Sequence, residues 1–195
     1  MTAPTTTTTS SEPTTTTTIE PTTTTSTTTT SSTPVPTQAI VNPSFEIATS
    51  DGTYTAPWVF SGNGNVQSNT NNAYQSYDGT HFAVLYGRST TTTSLSQTLS
   101  SLSTTQSYTL TYHYNVEQAS PQAICRLTVT IGGNVVDTLT SPTVRTGGYL
   151  QRTVTVPPPS SDTAIILFVL VCPRFVQLTA QSNYALDAIT LTLNN

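Results

Sequence analysis

Lysine is missing from this sequence altogether, and its basic charge rests on five arginines scattered through 195 residues: Arg88, Arg126, Arg145, Arg152 and Arg174. A nucleic-acid partner needs a dense basic stripe to displace counterions, so that class is set aside. Acids are nearly as thin, with Glu12 and Glu20 near the N-terminus and seven more spread between residues 46 and 187. Long apolar runs are also lacking. The longest, Ala164 to Cys172, has nine residues, where a membrane-spanning helix needs about 20. The closing residues LTLNN form no hydrophobic anchor. Met1 is followed by Thr-Ala-Pro-Thr rather than an apolar stretch, so an export signal is expected outside this chain. No segment shows the period of an amphipathic helix. Catalytic motifs are equally scarce, with no Gly-x-Ser-x-Gly elbow, no phosphate-cradling glycine loop and only two histidines. The expectation is a protein that is not an enzyme, inserts in no membrane and carries no nucleic acid.

Threonine, by contrast, is abundant. Residues 1–36 are mostly Thr, Ser and Pro, with Ile19 and Val35 the only sizeable apolar side chains after Met1. Such a segment cannot bury enough apolar surface to offset the entropy of ordering it, and its composition is that of a disordered, O-glycosylated stalk. Residues 37–195 remain for one domain with a core.

Within that domain, alternation with a period of two dominates. Tyr108, Leu110, Tyr112, Tyr114 and Val116 interleave with Thr109, Thr111, His113 and Asn115. Cys125, Leu127, Val129 and Ile131 interleave with Arg126, Thr128 and Thr130, and Gly132-Gly133-Asn134 then turns the chain. These two strands read as a hairpin. Further strands are expected over 39–46, around Val66, and over 81–86, 94–99, 149–156 and 184–193. Ala164 to Cys172, apolar throughout, reads as a strand covered on both faces. Eight or nine strands without a helix predict an all-β, two-sheet β-sandwich or jelly roll.

Cys125 and Cys172 each fall in a predicted strand and lack metal-ligand spacing. A disulfide across that loop would stabilise by about 4 kcal/mol in the chain-entropy model; the alternative is two buried thiols. A bridge and a surface rich in Thr, Ser, Asn and Gln point to an extracellular or cell-surface protein.

The order NPSFE, PW, YDGTHFAVL, SLSQTL, SYTLTYHYNV, CRLTVTIGG and YALDAITL, over residues 38–195, resembles the CenC-type carbohydrate-binding modules. The paired cysteines and the Thr-rich stalk are similar to versions found in secreted fungal proteins. The resemblance implies a galactose-binding-like jelly roll that binds polysaccharide or glycan without catalysis, expected here as a monomer. It also implies a structural Ca2+ held by residues matching Glu46 and Asp187, and a core position for Trp58; Asp78, which no part of the resemblance assigns, is a weaker third candidate for the ion. From the residues themselves, Asp187 shares the register of Ile189 and Leu191 and is expected to face inward near Glu46. Two hydrogen-bonded carboxylates without an ion, or a glycosidase acid and base, are the other readings of that pair.

Sugar recognition needs aromatic faces for stacking and planar polar groups for hydroxyls. Thr111, His113 and Asn115 share an outward face, with Arg126 on the next strand, Gln151 on a third and Gln97 on a fourth. Tyr54, Tyr77 and Tyr149 stand in or beside loops. The expected ligand-binding set is His113, Thr111, Asn115, Arg126, Gln97, Gln151, Tyr77 and Tyr149. A structural or adhesive cell-surface domain, contacting protein or wall material, is the alternative function.

Overall fold

The computed structural model describes residues 38–69, 75–88, 90–118, 125–140, 144–172 and 181–194. The expected stalk over 1–36 lies outside the described residues, and the strands all belong to the unit Thr33–Asn195. Ten strands occur among the described residues: β1 Val59–Ser61, β2 Gly64–Ser68, β3 His81–Arg88, β4 Thr92–Leu99, β5 Tyr108–Gln118, β6 Arg126–Ile131, β7 Asn134–Thr140, β8 Leu150–Val156, β9 Ala164–Val171 and β10 Gln181–Leu193. They form two five-stranded antiparallel sheets, β1-β4-β9-β6-β7 and β2-β3-β10-β5-β8. The chain is an all-β two-sheet sandwich, as the alternation predicts.

Between the sheets lies one large core. Tyr108, Leu110, Tyr112 and Val116 of β5 meet Leu127, Val129, Ile166 and Phe168 of the facing sheet. Trp58 is buried there against Phe45 and Phe168, and its indole N–H donates to the Asn42 carbonyl at 2.9 Å. That bond satisfies a polar atom which would otherwise be costly inside.

Three expectations need correction. β5 and β6 are not a hairpin, because they lie in different sheets. β9 is covered on one face only: Ile166, Phe168 and Leu170 are buried, whereas Ile165 and Val171 are exposed. Its apolar outer positions mimic a two-sided strand in the sequence. Residues 39–46 form turns rather than a strand, with only Gln38 bridging to Thr192. Asn42 and Phe45 adopt φ of 53° and 59°, a left-handed backbone that an extended strand cannot contain.

An ion pair ties the two sheets together, and a disulfide ties neighbouring strands within one of them. At one edge, Arg152 of β8 clasps Asp137 of β7 with Nη2 to Oδ1 at 2.6 Å and Nε to Oδ2 at 3.0 Å. The Tyr112 hydroxyl adds a third donor at 2.8 Å. Elsewhere, Cys125 and Cys172 form a disulfide at adjoining ends of β6 and β9. The bridge lies against Gly87 of the other sheet, where a Cβ would sit 2.6 Å from Cys172 Sγ and 2.4 Å from the Ser182 carbonyl oxygen. Only glycine fits there.

Candidate functional site: a clamped loop bearing two tyrosine–histidine stacks

The outer face of the β2-β3-β10-β5-β8 sheet carries Thr111, His113 and Asn115, as expected. Asp187 joins them. It pairs directly with His113, and one extra residue between Asp187 and Thr190, marked by Ala188 at φ 46°, shifts the register. The bulge turns Asp187 outward while Ile189 and Leu191 stay in the core. The expectation that Asp187 faces inward, read from strict alternation, is corrected by this bulge.

Asp187 is fully buried, and its oxygens are occupied. Oδ2 accepts the backbone N–H groups of Tyr77 at 2.8 Å and Asp78 at 3.0 Å, and Oδ1 accepts that of Ala188 at 2.7 Å. Burial pushes its carboxyl up to about 7, outweighing those three amides. Glu46 clamps the other end of the same loop. Its Oε1 accepts the N–H groups of Thr80 and His81, both at 2.6 Å, and its Oε2 takes the Thr80 hydroxyl at 3.0 Å and His81 Nδ1 at 3.1 Å. Between them Asp78 accepts from the Ser44 hydroxyl at 2.8 Å. Gly79, at φ 66°, lies so close to Glu46 that a Cβ would stand 2.5 Å from Oε1. Residues 77–81 are therefore pinned at both ends and in the middle.

The pinned loop presents an aromatic ring at each end. Tyr77 stacks on His113 with ring centroids 3.6 Å apart and planes 13° from parallel, and Tyr149 meets Tyr77 edge-on at 5.9 Å. His113 is only 8% exposed, whereas Tyr77 is 54% exposed. Burial lowers the His113 pKa, against a hydrogen bond to the Ala188 backbone that raises it. The ring is thus neutral at neutral pH, a flat base beneath the phenol. At the other end Tyr54 stacks on His81 at 3.7 Å and 19°. The chain's two histidines both serve as pedestals for tyrosines.

The other expected ligand residues divide in two. Thr111 and Gln151 border the Tyr77 shelf, with Gln151 opposite His113 and Thr111 opposite Thr153. Asn115 accepts from the Thr146 hydroxyl at 2.6 Å and so anchors the turn that leads to Tyr149. Arg126 and Gln97 are corrections. Arg126 points outward from β6 in the opposite sheet, because β5 and β6 are not partners. Gln97 is buried, and its amide grips the backbone of Val41, accepting from N and donating to O at 2.8 Å each. His113, expected on the open face, is instead covered by the Tyr77 ring. The His81 pedestal is not evident from the strand pattern; its one signal in the sequence is a Tyr and a His recurring in a loop-rich region.

The donor sets of Glu46 and Asp187 do not fit a shared calcium. Calcium requires oxygen lone pairs, and the carboxylate oxygens here are met by N–H and O–H hydrogens on two separate stretches of the loop.

No protein-family model matches the chain, and no curated protein matches it in sequence. Solved structures do. The carbohydrate-binding module TmCBM61, in complex with β-1,4-galactotriose, matches with a TM-score of 0.55 at 16% identity, over 80% of this chain and 99% of that one. The Stig cyclase Fisc from Fischerella sp. TAU matches with a TM-score of 0.54 at 18% identity, over 80% and 97%. The K2 cleaved adhesin domain of Lys-gingipain matches with a TM-score of 0.50 at 17% identity, over 78% and 97%. These likenesses show the fold alone. A sandwich shared by a sugar-binding module, a cyclase and an adhesin leaves function to the site.

Proposed function

We propose that this chain is a non-catalytic glycan-binding module of a secreted or cell-surface protein, of the CenC-like, fungal secreted kind, with Tyr77 as its stacking platform. One observation carries the reading: a tyrosine more than half exposed, backed by a neutral imidazole at 3.6 Å and fixed by a buried carboxylate. An exposed aromatic ring held rigid from beneath loses little freedom when a sugar ring stacks on it. Thr111, Gln151 and the Tyr149 edge supply hydroxyl, amide and aromatic flanks. A hydrolytic role gains no support from Glu46 and Asp187. Asp187 is fully buried, and both carboxylates are spent on backbone amides. The disulfide supports an oxidising compartment.

A glycan array probed with the full chain tests the proposal, with Tyr77→Ala as comparison. Recognition of one or more neutral glycans by the wild type, weakened about tenfold in the variant, is the expected result. Attachment to cells or wall protein with no glycan hit favours the adhesive alternative.

A further inference from the structure

The loop carrying Tyr54 faces β2, the edge strand of its sheet, across a cleft of about 510 Å³ lined by Thr53, Tyr54, Thr55, Asn65, Gln67 and His81 among others. We propose that this cleft is a second sugar-binding position, separate from the Tyr77 shelf and taking a neutral, hydroxyl-rich ring; the inference rests on the glycan-binding reading above.

Three features of the cleft point to that ligand. Tyr54, stacked on His81, offers an aromatic face. Asn65 and Gln67 offer planar amides and Thr53 and Thr55 offer hydroxyls, while none of the lining residues is an acid or an arginine. The one lining group able to carry positive charge, His81, is already partnered by Glu46 at 3.1 Å, so a phosphate or carboxylate would find no free counter-charge there. The Gln67 amide is also held in place, donating to the Tyr86 hydroxyl and to Asn65 Oδ1 at 3.5 Å. A planar amide fixed in this way loses little freedom on meeting a ligand hydroxyl.

The cleft is built before any ligand arrives. The buried Asn42 amide donates to the carbonyls of Tyr54 at 3.1 Å and Ala56 at 3.0 Å. Asp51 accepts the Thr53 N–H at 3.1 Å and the hydroxyls of Thr49 and Thr53. Its volume falls in the range of small-molecule sites, roughly 300–1,000 Å³. Register connects it to the shelf. Gln67 lies opposite Phe82, and β10 and β5 follow in order, so Gln67 and His113 are separated by three strand spacings, roughly 14 Å. A short oligosaccharide can reach both positions.

Two histidines give two ring signals, each reporting one position. We would titrate the full chain with β-1,4-galactotriose, cellohexaose and xylohexaose and follow the His81 and His113 ring resonances by NMR. The expected result is a saturable shift at His81 with at least one probe. Gln67→Ala should weaken it about tenfold and Tyr54→Ala abolish it, while the His113 shift persists in both. Should Tyr54→Ala fold poorly, Gln67→Ala decides by itself. Movement of His113 without His81 overturns the cleft and leaves the Tyr77 shelf standing. Movement of neither with any probe overturns both.

Discussion

The backbone N–H of Tyr77 donates to Oδ2 of Asp187 at 2.8 Å, joining residues 110 apart in sequence. Through this contact a bulge in the last strand fixes the ring most exposed on the sheet face, and the consequences reach both stability and binding.

The first consequence is a dependence on pH. Burial holds the Asp187 carboxyl at about 7, above its ordinary 3.8. A group whose folded pKa exceeds its unfolded value contributes stability that is complete below about 3.8 and is lost as the pH rises toward 7. His113, its cross-strand partner, acts in the opposite sense. Its lowered pKa gives stability that is present above 6.5 and lost as the pH falls. Thermal melts from about pH 4 to about pH 8 should therefore show Asp187→Asn losing the decline on the alkaline side. His113→Phe, which keeps a flat ring beneath Tyr77, should lose the decline on the acid side. Melting curves of both variants parallel to wild type across that range would contradict these assignments.

The sandwich edge gives a second prediction. Arg152 and Tyr112 together hold the Asp137 carboxylate below its usual range despite burial, which works against the charge. Arg152→Ala leaves that buried carboxylate short of two donors and should cost about 2 kcal/mol of stability, read by urea unfolding. Because the pair lies between the sheets and away from Tyr77, glycan retention at low denaturant should be unchanged.

Much of this architecture is written in the alternation of the sequence. Most of the strands follow from it, because a half-buried strand must place apolar residues at every second position. What alternation hides is pairing. Tyr108–Val116 and Cys125–Ile131 look like hairpin partners because they are adjacent, yet they belong to opposite sheets. Pairing them carries Arg126 onto the wrong face. The bulge after Asp187 escapes for a related reason: a single inserted residue reverses which face a side chain meets. The burial of Gln97 is legible, since a glutamine between Leu95 and Leu99 shares their inward register and must find partners inside. The Tyr77–His113 stack is not, because a loop far upstream of β5 supplies its upper ring.

The cation expectation leads to a third prediction. With Glu46 and Asp187 already satisfied by the 77–81 loop, a chelator should leave the melting temperature unchanged. A rise of several degrees on adding Ca2+, reversed by chelator, would show that the carboxylates exchange amides for an ion.

The central claim is that ligand binding sits on the Tyr77 face, and paired substitutions on opposite sheets test it most directly. Retention of the full chain on insoluble polysaccharide should fall about tenfold in Tyr77→Ala and stay at the wild-type level in Arg126→Ala, with neither variant losing its folded melt. Retention lost in Arg126→Ala and kept in Tyr77→Ala would contradict the account.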